Sequence, residues 1–158
     1  MGDGVACVAL ADTVVMLWDK PAATARWIWF IEQATKASAT APKGVIILNI
    51  ILPSSSPPDG ELRGRMQKDL RAMGPALHKM VAVAMGDGMW TSVVRTLIRS
   101  ILLLSGQSQK QAVVATVAEG LDHIRGIASP QTPSRPELQT AVDQLFAALK
   151  PQTIRAEG

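Results

Sequence analysis

Hydrophobic positions along the chain fall into short runs set apart by polar, glycine- or proline-bearing stretches. Residues 45–52, VIILNIIL, are almost unbroken apolar sequence, too short for an ordinary helix and rich in isoleucine, which predicts a central strand buried on both faces. Residues 5–10 and 13–18 are two β-rich runs separated only by Ala11 and Asp12, the spacing of a tight hairpin with Asp12 as a turn residue. Residues 80–85 and 112–115 predict two further strands, the first ended by Gly86-Asp87-Gly88.

Between these runs the period becomes helical. Asp19-Lys20-Pro21 sets a cap-type residue ahead of a proline suited to a first turn, and predicts a helix over 21–37. Trp27, Phe30, Ile31 and Ala34 form its apolar stripe, with Ile28 and Trp29 off that stripe. Ser56-Pro57-Pro58-Asp59 reads as a second helix start, with Ser56 as N-cap, Pro57 in the first position and Asp59 favouring the positive end of the dipole. That helix buries Leu62, Met66, Leu70 and Met73 and turns Arg63, Arg65, Lys68 and Arg71 outward. Thr91 caps a third helix over 92–104, apolar over a wide arc that includes Val94, Ile98 and Ile101, with Arg95 and Arg99 along one edge. Thr116-Val117-Ala118-Glu119 and Ser134-Arg135-Pro136-Glu137 are two capping boxes, each opening an amphipathic helix.

Strands alternating with helices after an initial hairpin predict an α/β fold. The expectation is a single mixed, mainly parallel five-stranded sheet opening with a β-hairpin and packed by about four helices, plus an extra C-terminal helix. In domain terms this is an α/β unit over 1–127, a proline-rich linker over 128–136, an amphipathic helix over 137–150 standing as an appendage, and a flexible tail over 151–158.

Composition adds two constraints. With 47% hydrophobic residues in 158 the chain can bury a core, while only 18% charged residues make a lean surface, which predicts apolar area covered by a partner or by a second copy. Net charge is +3 with Lys and Arg scattered, short of a nucleic-acid signature, so no nucleic-acid partner is expected. Cys7 is the single cysteine and has only His78 and His123 beside it, which excludes an internal disulfide and offers no spaced zinc set. The N-terminus lacks a basic signal region, and Arg95 and Arg99 interrupt the apolar sequence over 93–104. A cytoplasmic, bacterial-type protein with no transmembrane segment is expected, peripheral membrane contact being left open.

The order of elements resembles the STAS fold, the family of anti-sigma factor antagonists and SpoIIAA-like proteins, over roughly residues 5–127. The carriers are the 45–52 strand leading to a serine-bearing helix start, the 80–85 strand followed by the Thr91 helix, and the closing AVVATVAEGLDHI. In phosphorylated members a serine stands at the start of the helix after the central strand, usually in an Asp-Ser-x-Gly setting. The resemblance therefore directs attention to Ser54, Ser55 and Ser56, although here Pro57 replaces any glycine and no aspartate directly precedes the serines. It implies a non-catalytic regulatory or scaffold module that acts through protein–protein contact.

Candidate chemistry is sparse. The 54–60 tip can hold a phosphate on free helix N–H groups, or can simply cap and turn the chain. No nucleophile-elbow, P-loop or dinucleotide fingerprint occurs, so no enzyme, catalytic residue, metal or cofactor is expected. Interface candidates are Trp27, Trp29 and Phe30 on the first helix, Arg63, Lys68 and Arg71 on the second, and Val94, Arg95, Ile98 and Ile101 on the third. The functional expectation is a protein-interaction module that self-associates as a homodimer; the alternative is a binder of a small apolar or lipid-like ligand in a cavity like that of SpoIIAA-like and CRAL-TRIO domains.

Overall fold

The structure, a computed structural model, describes residues 5–20 and 23–149, without the side chains of residues 90 and 108. The helix start expected at Pro21 and the tail expected over 151–158 lie outside the described residues. The elements are β1 (Val5–Leu10), β2 (Thr13–Trp18), α1 (Thr24–Ser38), β3 (Val45–Ile51), α2 (Gly60–Met73), β4 (Leu77–Ala84), α3 (Met89–Leu104), β5 (Gln111–Val114), α4 (Val117–Ile127) and α5 (Arg135–Leu149).

The sheet runs β1-β2-β3-β4-β5, antiparallel between β1 and β2 and parallel thereafter. This is the expected mixed, mainly parallel sheet. Because each parallel strand lies next to its predecessor, right-handed crossovers carry α1, α2 and α3 to one face. That face holds Val14, Met16, Trp18, Val45 and Ile47 against Phe30, Leu62, Leu70 and Leu102. Alternation along the same strands sends Val15, Leu17, Ile46, Leu48 and Ile50 to the opposite face, against α4 and α5.

The C-terminal helix is therefore no appendage. Leu138, Val142 and Leu145 are buried in the second core layer, and α5 lies over β1 and β2 while α4 covers β3, β4 and β5. A buried carboxylate holds the connection between them. Asp12, in the hairpin turn, accepts hydrogen bonds from Thr13 Oγ1 (2.9 Å), Ser129 Oγ (3.2 Å) and Thr132 Oγ1 (2.7 Å). Sequence reasoning gave Asp12 a turn role alone; its long-range partners, well over a hundred residues away along the chain, carry no local signal. The capping box of α5 is as expected, with Ser134 N–H donating to Glu137 Oε2 at 2.7 Å, a bond that holds the Glu137 carboxyl below its ordinary range.

Several boundaries differ from expectation for definable reasons. Strand β4 begins at Leu77 because the polar His78-Lys79 pair falls in a register shift: Val45 pairs with Leu77 but Ile46 with Lys79, which leaves His78 as the extra residue of a bulge. Helix α3 begins at Met89 rather than 92, after Gly88 at φ +88°, and Thr91 is a buried helix residue whose hydroxyl donates to the Asp87 carbonyl. Gly44 (φ +90°) is required by close approach, since a Cβ there would lie 2.8 Å from the carbonyl oxygens of Pro75 and Ala76.

Two substitutions test this arrangement. Leu138→Ala should cost about 2–5 kcal/mol in chemical denaturation, the range for a fully buried leucine and far above that for a helix outside the core. Asp12→Ala should lower stability by about 2 kcal/mol, with hydrogen-exchange protection lost first in α5.

Candidate functional site

Parallel α/β sheets commonly present their sites at the carboxyl ends of the strands. Here Trp18 closes β2, Ile51 closes β3, and the chain then crosses to α2 through Ser54–Pro58. The tip is tied down: Ser54 Oγ donates to Asp19 Oδ1 (2.5 Å) and Ser55 Oγ to the Lys20 carbonyl (3.0 Å). Ser55 is buried, and Ser54 and Ser56 are exposed.

The N-cap of α2 is Asp59, not Ser56 as expected. Its Oδ1 accepts from the Leu62 N–H at 2.8 Å, and the helix begins at Gly60. Residues 53–58 run without helix, and the Asp59 carboxylate already stands at the helix start on the Leu62 N–H.

Between α2, α3 and the first face of the sheet lies a cavity of about 90 Å³, partly open to solvent. Its wall is made by the tip residues 55–58, by Met66 and Leu70 of α2, by Leu97, Ile98 and Ile101 of α3, and by Trp18, Asn49 and Ile51 of the sheet. Asn49 is the polar interruption in the central strand, and its Oδ1 accepts from the Trp18 indole N–H.

Among the described residues, the large exposed apolar side chains lie on the outer side of α3. Met89 is 85% exposed, Val93 49%, Leu103 65% and Leu104 54%. At 100° per residue these four share one arc with Ser100 and with Thr96, whose Oγ1 is spent on the Ser92 carbonyl. The helix carries two charges, Arg95 and Arg99, both basic. Arg99 is exposed; Arg95 is half-buried, its Nη2 reaching the Ala84 carbonyl at 3.4 Å while Nε is buried without a partner. At the far end Arg71 of α2 donates to the Leu104 carbonyl at 2.6 Å.

The expected interface residues divide. Trp27 and Phe30 are core residues at 3% and 0% exposure and present no surface. Trp27 packs at a tilt against the Phe30 ring and its indole N–H donates to Asp69 Oδ2 (2.8 Å), which also pairs with Arg65 (3.3 Å). Val94 and Ile101 are likewise buried. Trp29 and Ile98 are half-buried against the first core, and Arg63, Lys68 and Arg71 are exposed on α2. The surface chemistry of α3 thus rests on Met89, Val93, Leu103 and Leu104, residues that a sequence reading assigns to the helix without separating its inner from its outer arc.

Cys7 sits in β1, packed on the first core, and burial pushes its thiol up to about 11. His78 Nδ1 lies 3.0 Å from the Lys43 carbonyl, and His123 is exposed on α4. Among the described residues no group of three or more His, Cys, Asp or Glu is placed to hold a metal, and no helix is long and apolar enough to cross a membrane.

No protein-family model matches the chain, and no curated protein matches it in sequence. Among solved structures it is similar to the anti-sigma factor antagonist SpoIIAA in its unphosphorylated form, with 18% identity, 79% of this chain and 99% of that chain covered, and a TM-score of 0.41. The order of elements expected from the sequence is the order found.

The raised Cys7 thiol should be about a hundredfold poorer in thiolate at neutral pH than an ordinary cysteine, so its reaction with a thiol reagent such as dithionitrobenzoate should be slow in the native chain and become fast on unfolding. Asp59→Ala should cost about 1 kcal/mol by removing the α2 cap, whereas Ser56→Ala should be near neutral in the same denaturation assay.

Proposed function

We propose that the chain is a non-catalytic, cytoplasmic interaction module of regulatory or scaffold type that docks a protein partner on the outer face of α3. The observation that supports this reading is the run of exposed apolar side chains at Met89, Val93, Leu103 and Leu104 on one arc of a helix. Burial of that arc supplies the driving force for association, and the half-buried Trp29 and the exposed basic face of α2 stand outside it.

Charge at the rim favours a different chain over a second copy. In an isologous antiparallel pairing, the Arg95–Arg99 edge of α3 meets the same edge of its mate, and like charges across an interface are unfavourable. A partner helix with an apolar stripe and acidic flanks fits both features. Self-association, the other expectation, draws on the same apolar arc without that complementarity. Ser54 and Ser56 are exposed beside the α2 start and remain the candidates for phosphorylation. The lone, unreactive cysteine suits a reducing compartment.

A photo-crosslinking amino acid placed at Val93 or Leu104 in cells, with Gln144 on α5 as control, tests the reading. The expected result is an adduct from both α3 positions to an acidic segment of another protein, lost in Leu103→Glu/Arg99→Glu. An adduct to this same chain would replace the acidic partner by a homodimer, and absence of any adduct from either position would remove the proposal.

A further inference from the structure

The cavity beneath α3 carries a second inference, independent of what docks on the outside of that helix. Asn49 is a carboxamide set among isoleucines, on the face of the central strand that packs against α1, α2 and α3. Filling the core requires no polar atom there, and a phenylalanine at 18 with an aliphatic residue at 49 would avoid the cost of burying both polar groups.

The hydrogen bond between the two residues fixes the orientation of the amide. An indole N–H only donates, so the atom facing Trp18 is Oδ1. The amide nitrogen therefore points away from that bond, and because half-buried Asn49 lines the cavity its N–H groups can serve an occupant as donors. No lining residue is charged. An ionised occupant would lose its hydration with no opposite charge to meet it, which restricts the cavity to neutral molecules.

Volume restricts them further. A dry cavity of about 150 Å³ accepts benzene, so 90 Å³ corresponds to a compact apolar body of about four non-hydrogen atoms, and the partly open side leaves room for one or two more. We infer that the cavity between α2, α3 and the sheet binds a small neutral apolar molecule, or the compact head of one, bearing a hydrogen-bond acceptor that Asn49 recognises through its amide nitrogen. Trp18 positions that amide, and the size of the cavity excludes a long acyl chain from full burial.

Cyclopentanone and cyclopentane serve as matched probes, alike in shape and differing in one acceptor. Methyl resonances of Ile51, Ile98 and Met66, and the fluorescence of Trp18 and Trp27 in the wall, report occupancy in the full chain. Cyclopentanone should perturb these signals and bind about tenfold more tightly than cyclopentane, the net value of about one hydrogen bond. Asn49→Leu should abolish the preference while retaining cyclopentane binding, and Ile98→Phe, which fills the space, should abolish both. Equal affinity for the two probes, a preference that survives in Asn49→Leu, or signals unmoved by saturating cyclopentanone would each overturn the inference. Native mass and fluorescence of unliganded Asn49→Leu separate a misfolded variant from one that has lost only recognition.

Discussion

The fold depends on covering both faces of one sheet whose strands follow one another in chain order. Sequential parallel neighbours place every crossover helix on a single face, and among the described elements those after β5 cover the second face. Helix α4 lies over β3, β4 and β5, and its Gly120 allows this seat, since a Cβ there would come within 2.9 Å of Val83 Cγ2. The outer strands β1 and β2 would remain bare without α5. Leaving Ala6, Val15 and Leu17 in water is costly enough that the chain past Ile127 must return, and Asp12 holds the returning segment through two hydroxyls.

The first face is built with the opposite surplus. Three helices converge on it, and at the strand carboxyl ends their side chains leave a gap that the Ser54–Pro58 tip partly closes. Helix α3 is the outermost of these packing elements with large apolar side chains on both arcs: Val94, Ile101 and Leu102 face inward, Met89, Val93, Leu103 and Leu104 outward. A helix with apolar residues on two arcs satisfies one by folding and leaves the other for association. The cavity and the docking face are thus two consequences of the same helix, one on each side.

Ionic chemistry is peripheral to this design. The basic residues of α2 and α3 lie at the rim of the apolar surface or on solvent, and Asp69 gathers the Trp27 indole and the Arg65 guanidinium at the α1–α2 contact. Glu137 gains its low carboxyl range from the Ser134 N–H, so that cap is complete above the ordinary carboxylate range and is lost as acid protonates the group.

The sequence by itself determined the number, type and order of the elements. Two β-rich runs at 5–10 and 13–18, an unbroken apolar run at 45–52, and helical spacing between them are local patterns, and local patterns report the type of each element. What the sequence did not hold is which apolar surface meets which. Whether Trp27 faces core or solvent, which arc of α3 remains outside, where α5 docks and that Asp12 is its anchor all depend on residues far apart in the chain. Helix starts belong to the same class: Asp59 rather than Ser56 caps α2 because the tip must first reach back to Asp19 and Lys20, a route set by the neighbouring strand. Tertiary packing decided these points because burial is shared between elements, and no single element carries the information about its neighbour.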